Sequence, residues 1–360
     1  MTEPEHRRWA GQVIVAGYPA GGPPDAVLDS LAKEELGGVI LFRRNLDGGP
    51  VEAAKEVKRI TDATVGPTPF VAIDQEGGRV QRLGPPVLQL PPMERLGRAD
   101  DPALTRRAAR VLGRQLAALG FDLDFAPVLD VNTNPDNRVI GDRSFGSEPE
   151  LVARHGLAFA AGLAEAGLVA CGKHFPGHGD TVEDSHLELP ALPHAMDRLE
   201  RVELVPFRAA VGTVGSIMTA HIVFRALDPD RPATLSPAVV GGLLRERLRY
   251  DGLVVSDDLE MKAIADHFST GAAAVEAIRA GCDLLLVCET AARVEEARAA
   301  LAAEADRDPA FAAALKRAAG RCRAVREGLR SEPVTDPEAL ARIFDDPEAR
   351  AVSEALQRLR

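Results

Sequence analysis

The chain is poor in cysteine and has no basic surplus, no long apolar run and no internal repeat. Cys171, Cys282, Cys288 and Cys322 are its four cysteines, and no two form a CxxC pair. Three lie in or beside apolar runs. They read as small buried thiols of a reducing compartment, not as a disulfide framework. The net charge of −11 leaves no cationic excess to neutralise phosphates. That argues against nucleic acid and against an anionic membrane surface as partners. A local positive pocket for an anionic substrate remains open. The N-terminal segment mixes acids with bases, and the apolar run behind it is short and ends in Gly-Tyr-Pro. This reads as neither a secretory signal nor a membrane span, so a cytoplasmic location is expected. There is no low-complexity segment and no long linker, which favours one domain.

What the chain does have is a series of short runs rich in Val, Ile and Leu, with helical stretches between them. The runs are 13–18, 38–42, 70–74, 123–131, 168–174, 216–223, 253–257 and 283–288. They are near-continuously apolar, as expected for parallel strands buried on both faces. Residues 102–119 and 148–166 read as amphipathic helices. Ser236-Pro237 and Asp308-Pro309 each give an N-cap followed by proline at the first helical position. Strands alternating with helices predict an α/β fold, and eight of them favour a closed (β/α)8 TIM-type barrel over a doubly wound open sheet. A length of 360 residues suits one such barrel, which runs to about 250 residues or more. Residues 1–332 are expected to form the catalytic barrel. Residues 333–360, charged and helical in pattern, are expected to extend the same domain as a packing or dimer-contact element. A monomer or weak homodimer is expected.

Polar residues gather where these strands end: Arg43-Arg44-Asn45, Asp74-Gln75-Glu76, Asp130 and Asn132, Lys173-His174, His221, and Ser256-Asp257-Asp258. Barrel enzymes build their sites on that face. One such residue is explained by a helix cap; six strand ends together are not.

The densest cluster is Lys173-His174-Phe175-Pro176-Gly177-His178-Gly179-Asp180, continuing to Asp184-Ser185-His186. Gly and Pro exclude a helix here, and titratable groups on a loop after a strand point to chemistry. Three readings compete. His174, His178, Asp180, Asp184 and His186 are all possible metal ligands, but zinc ligands usually come from defined spacings or several strand ends. The first strand also offers no His-x-His pair. His178, within Pro176-Gly177-His178-Gly179, suits a structural brace at least as well. The third reading is acid/base catalysis. In an extended segment Asp184 and His186 point the same way, so the carboxylate can orient the imidazole and raise its pKa. A proton donor there needs a nucleophile elsewhere, and Asp257 or Asp258 at the seventh strand end supplies one. Donor and carboxylate on opposite sides form the layout of a retaining glycosidase. The Asp74-Gln75-Glu76-Gly77-Gly78-Arg79-Val80-Gln81-Arg82 segment suits sugar hydroxyls, with arginine available for a carboxylate. An exposed ion-pair network would look the same.

Taken together, these motifs resemble glycoside hydrolase family 3, and within it the single-domain β-N-acetylglucosaminidases. The resemblance is carried by Gly37-Gly38-Val39-Ile40-Leu41-Phe42 with Asn45, by the 74–82 segment, by Asp124-Phe125-Ala126-Pro127-Val128-Leu129-Asp130-Val131, and by Ile140-Gly141-Asp142-Arg143-Ser144-Phe145. The histidine-rich stretch and Ser256-Asp257-Asp258-Leu259 complete it. The resemblance implies Asp257 as nucleophile and His186 as acid/base, assisted by Asp184. It implies sugar binding by Asp74, Arg82, Arg143, Lys173 and His174. It implies retention of configuration through a covalent glycosyl-enzyme, with no metal and no organic cofactor. The implied substrate is an N-acetylglucosaminide sugar, in bacteria a muropeptide released from the cell wall and recycled. A phosphorylase or a β-glucosidase on the same scaffold, and a non-catalytic muropeptide-binding sensor, are the rival expectations. The acids of the 180–183 segment beside the dyad either raise the His186 pKa further or stand solvated. Residues past about 330 match no motif of the family.

Overall fold

Eight short strands close into a parallel barrel in the computed structural model, which describes residues 3–182, 189–329 and 332–359. They are β1 (Ile14–Ala16), β2 (Gly38–Ile40), β3 (Phe70–Ile73), β4 (Leu123–Asp124), β5 (Val169–Phe175), β7 (Ser216–Thr219), β9 (Leu253–Asp258) and β10 (Leu284–Val287). Each pairs with its neighbours around the ring, and β1 pairs with β10 to close it, Ile14 opposite Leu285. The barrel residues are buried almost throughout. Helices outside and packed side chains inside leave these strands no wet face, which is why their sequences run apolar without alternation.

Two more strands, β6 (Ala191–Leu192) and β8 (Val223–Phe224), form a separate parallel pair. The apolar run 216–223 therefore does not make one strand. It leaves the barrel after Thr219, and its last residue joins the small sheet. The run 123–131 is also cut short. After Asp124 the chain enters Ala126-Pro127, and proline has no N–H for the ladder. Val128 returns only as a single bridge to Lys173.

The predicted cap at Asp308 accepts from the N–H groups of Ala310 and Phe311 ahead of Pro309–Gly328, and Asp101 caps Pro102–Leu119 in the same way, accepting from the Leu104 N–H. Ser236 accepts from the Val239 N–H, but the helix that follows, Ala238–Arg247, is wound as a π-helix. The Gly242 N–H reaches the Pro237 carbonyl, and Gly241 and Gly242 lie within the widened turns. Helices Pro102–Leu119 and Pro149–Glu165 pack closely at Gly162, where a Cβ would stand 2.3 Å from the Arg106 carbonyl oxygen. Helices Pro337–Phe344 and Pro347–Gln357 lie against Pro102–Leu119. They bury Leu340, Phe344, Val352 and Leu356 there. Arg114 adds an ion pair to Asp346 at 2.8 Å, and Arg110 one to Glu348. Among the described residues no helix is long and apolar enough to cross a membrane.

Candidate active site

The C-terminal ends of the strands surround a cleft of about 400 Å³. Asp74, Glu76, Arg82, Arg143, Lys173, His174, His178, Asp257 and Asp258 line it. Most of the predicted binding residues meet there in one alternating chain of charge. Arg82 pairs with Asp74 at 2.9 Å. Lys173 bridges Asp74 at 2.9 Å and Glu76 at 2.6 Å. Arg143 then clasps Glu76 with two hydrogen bonds, each 2.8 Å. Burial alone would raise the Asp74 and Glu76 carboxyls. Lys173 and Arg82 outweigh it at Asp74, which lies well below the usual carboxylate range. Arg143 and Lys173 outweigh it at Glu76, bringing it down to about 2. Lys173 is buried too, yet these two anions hold its ammonium above the ordinary lysine range. A buried charge persists only when paired and hydrogen-bonded, and here every member is paired. Fixed donors and acceptors of this kind suit sugar hydroxyls.

The sequence reading passed over Glu76 and Asp130 as site residues. Asp130 takes three hydrogen bonds: from the His174 and His178 backbone N–H groups at 3.0 and 2.7 Å, and from His174 Nδ1 at 2.7 Å. It thus fixes the His174 ring, and its own carboxyl is held low. Burial opposes this, and the two histidines outweigh it. Both acids sat inside the motifs quoted above. Their roles depend on partners 67 and 44 residues away, which no local spacing reveals.

His178 is buried and lines the cleft, with Nδ1 2.9 Å from Thr181 Oγ1. Burial chiefly, helped by His174, lowers it to about 4, so it is neutral at pH 7. The brace reading expected of it fits these bonds. The segment around it is laced to residues 131–137. Asn137 Nδ2 donates to the His178 carbonyl, the Asn134 N–H to the Gly179 carbonyl, and Thr133 Oγ1 to Asp180 Oδ1. Asp180 also lies 2.8 Å from His194 Nε2, so it is engaged and not a solvated bystander. Asp184 and His186, the expected acid/base dyad, fall in 183–188 and lie outside the described residues.

At β9 the two adjacent aspartates are sharply different. Asp257 is held below the usual carboxylate value: burial pushes it up, but His221, His174, the Asp258 N–H and Lys173 outweigh burial. Asp258 is pushed up to about 7, mainly by burial and further by Asp257 and Glu260. Its Oδ1 accepts from the N–H groups of Glu260 and Cys288, tying β9 to the end of β10. Of the two, Asp257 is the anion that faces the cleft in weakly acidic solution. Three of the other polar strand-end residues tie backbone together. Arg44 donates to the Tyr18 and Cys288 carbonyls, Asn45 to those of Tyr18 and Pro19, and Ser256 Oγ accepts from the Leu286 N–H.

A parallel barrel with acids and bases convergent on its C-terminal mouth defines a barrel enzyme. The particular family follows from likeness to known proteins. Residues 12–320 match the family described as glycosyl hydrolase family 3 N terminal domain. A beta-hexosaminidase of Alkalilimnicola ehrlichii is 42% identical over 301 residues, covering 81% of this chain and 84% of the relative. A solved β-N-acetylglucosaminidase of the family from Paenibacillus sp. superposes with a TM-score of 0.88 at 40% identity. That match covers 97% of this chain and 68% of the other. The NagZ of Neisseria gonorrhoeae, solved in complex with N-trifluoroacetyl-D-glucosamine, gives a TM-score of 0.80 at 32% identity, covering 97% and 98%. The chain belongs to glycosyl hydrolase family 3 and is a glycoside hydrolase.

Proposed function

We propose that this protein is a retaining exo-β-N-acetylglucosaminidase that removes terminal N-acetylglucosamine from muropeptides in cell-wall recycling. The observation that carries the reading is the split between Asp257 and Asp258. One carboxylate at the barrel mouth is held below the usual carboxylate value while its neighbour is pushed up to about 7; the first stays ionised, as a nucleophile requires. Asp257 attacks the anomeric carbon while His186, oriented by Asp184, protonates the leaving oxygen. Water then attacks the glycosyl-enzyme with His186 as base, and configuration is retained. Asp74, Arg82, Arg143, Lys173 and His174 hold the sugar in a pre-organised polar cleft, which favours the transition state by positioning. The names of the relatives, beta-hexosaminidase and β-N-acetylglucosaminidase, support the choice of sugar.

Turnover of an aryl β-N-acetylglucosaminide tests the proposal. Asp257→Asn is expected to lower kcat by about 10³-fold or more. Proton NMR of the first product is expected to show the β anomer. Wild-type rates from the variant, or α anomer as first product, sinks the mechanism. Inorganic phosphate is expected to change neither rate nor product; appearance of a sugar 1-phosphate would convert the hydrolase to a phosphorylase.

A further inference from the structure

Four arginines line the cleft: Arg79, Arg82, Arg138 and Arg143. Three are matched by carboxylates, Arg143 by Glu76, Arg82 by Asp74, and Arg79 by Asp142 at 3.0 Å. The fourth, Arg138, is exposed, and its guanidinium meets neither an acid nor a hydrogen-bond acceptor among the described residues. An exposed arginine without a partner is ordinary on a protein surface. What sets this one apart is the backbone beneath it. Arg79 Nη2 donates to the carbonyls of Arg138, Val139 and Ile140 at 2.9, 2.7 and 3.1 Å. Arg143 Nη1 donates to the Val139 carbonyl at 3.0 Å. Asn137 Oδ1 accepts from the Val139 and Ile140 N–H groups at 3.0 and 2.8 Å, and its amide donates to the His178 carbonyl at 2.8 Å. Val139 and Ile140 are themselves buried. The root of Arg138 is thus pinned to the cleft wall and to the segment after β5, and only its charged tip is free. A fixed root lowers the entropy lost when an arginine grips a ligand.

Arg138 belongs to the segment after β4, and its place in the ring decides which part of a substrate it meets. In an exo-acting enzyme the terminal sugar fills the floor of the cleft, here the buried Lys173, Glu76 and Arg143. The leaving group then extends through the mouth, where Arg138 is. A nucleophilic carboxylate and the leaving oxygen lie on opposite faces of the anomeric carbon. Asp257 lies at the end of β9, and β4 stands three strands further round the barrel. The acid of the rim, Glu289, follows β10 on the side of the ring opposite β4, and Arg44 holds it at 3.3 Å. A negative leaving group is therefore drawn to the β4 side and turned away from β10. The net charge of −11 would repel such a group everywhere else. We propose that Arg138 is a specificity-determining residue: it binds a carboxylate carried by the leaving group, so that anionic aglycones are hydrolysed in preference to neutral ones. The planar guanidinium takes a carboxylate through two parallel hydrogen bonds, a geometry that lysine lacks. This rests on the exo-glycosidase reading above and adds to it the charge of the substrate beyond the scissile bond.

Two disaccharides test the inference on the full chain: N-acetylglucosamine β-1,4-linked to N-acetylmuramic acid, with the carboxyl free or as its methyl amide. In the wild type, kcat/KM for the free acid is expected to exceed that for the amide by about tenfold at low salt, the lower end for a hydrogen bond between charged groups. The preference is expected to lie mostly in KM and to shrink as salt is added, because Arg138 is exposed and its charge is screened. Arg138→Gln is expected to abolish the preference and Arg138→Lys to keep part of it. Arg138→Glu is expected to invert it, so that the amide becomes the better substrate. A merely structural role would change both substrates alike and leave their ratio where it was. A wild type that hydrolyses the two alike, or a wild-type ratio in Arg138→Gln, overturns the inference and leaves the glycosidase reading standing. Hydrolysis of neither disaccharide would instead remove that reading, and the inference with it.

Discussion

Lys173 shows most plainly how single residues hold this site together. It is a buried cation held in direct ion pairs by Asp74 and Glu76. Substituting Met keeps the stem's volume and removes the charge. Two buried carboxylates then face each other with Arg82 and Arg143 alone, and breaking a buried network in this way costs about 3–5 kcal/mol. Lys173→Met is therefore expected to lower Tm by roughly 5 °C in a chain of this size, measured by differential scanning calorimetry. It is also expected to cut kcat/KM by about 10²-fold, since the sugar cradle loses its fixed geometry. A variant as stable as the wild type would show that the network is spectator charge. The same network sets an acid limit. The Glu76 carboxyl, lowered to about 2, lies below its ordinary value of 4.5. A depressed carboxyl contributes stability that is complete above its unfolded value and is lost as pH falls through its folded one. The window is thus pH 5 down to 2. The wild type is expected to lose Tm steeply across it, and Glu76→Gln, though less stable at pH 7, to lose it less steeply. Parallel slopes in a pH series of melts would assign the acid sensitivity to other groups.

At the scale of elements, the critical piece is the segment that leaves β5. Gly179 sits against the chain after β4, where a Cβ would lie 1.9 Å from the Val131 carbonyl oxygen. Backbone cannot yield as a side-chain tip does, so Gly179→Ala must displace the 176–182 segment from its hydrogen bonds to Asn134 and Asn137. The expected stability loss is about 1–3 kcal/mol. The larger effect is expected on turnover, a fall in kcat of about 10²-fold, because the proposed dyad begins five residues on. Stopped assays with thermal melts check both; full activity would detach this anchor from catalysis. Much of this architecture was legible in the sequence. The barrel strands announced themselves as apolar runs because both their faces are buried, and two helix starts because Asp308 and Ser236 are good caps ahead of proline. The β6/β8 pair was not legible, since two-residue strands carry no period. Nor was the π-winding of Ala238–Arg247, which shares its apolar pattern with an ordinary helix. In the cleft, Asp74, Lys173, His174 and Asp257 stood out as polar residues at apolar strand ends and Arg82 in the segment after the third of them, while Arg143 was named only through the family resemblance. Glu76 and Asp130 did not receive roles, because their pairing is set by barrel closure and not by neighbours in the chain.

For the whole molecule, the open question is whether the last helices belong to the barrel's cooperative unit. We propose that they do, residues 333–360 extending the domain formed by 1–332. Leu340, Phe344, Val352 and Leu356 are buried against the barrel's helix Pro102–Leu119. Burying each such side chain is worth about 1.5–3 kcal/mol, an upper estimate because unfolded chains are partly compact. Four together approach the whole net stability of a typical domain, about 5–15 kcal/mol. The ion pairs of Arg110 and Arg114 add less, because they are partly exposed and screened. The Gln115 side chain binds the two parts from inside: its oxygen accepts from the Leu88 N–H, and its amide donates to the Phe344 carbonyl. Removing residues 333–360 would thus uncover an apolar stripe and leave that buried amide without its acceptor. The truncated chain is expected to lose at least about 10 °C in Tm or to aggregate on expression, although no residue of the cleft is deleted. The intact chain is expected to melt in a single calorimetric transition, the helices unfolding with the barrel. A separate low-temperature transition, or a truncated barrel that melts where the full chain does, would make 333–360 an appendage.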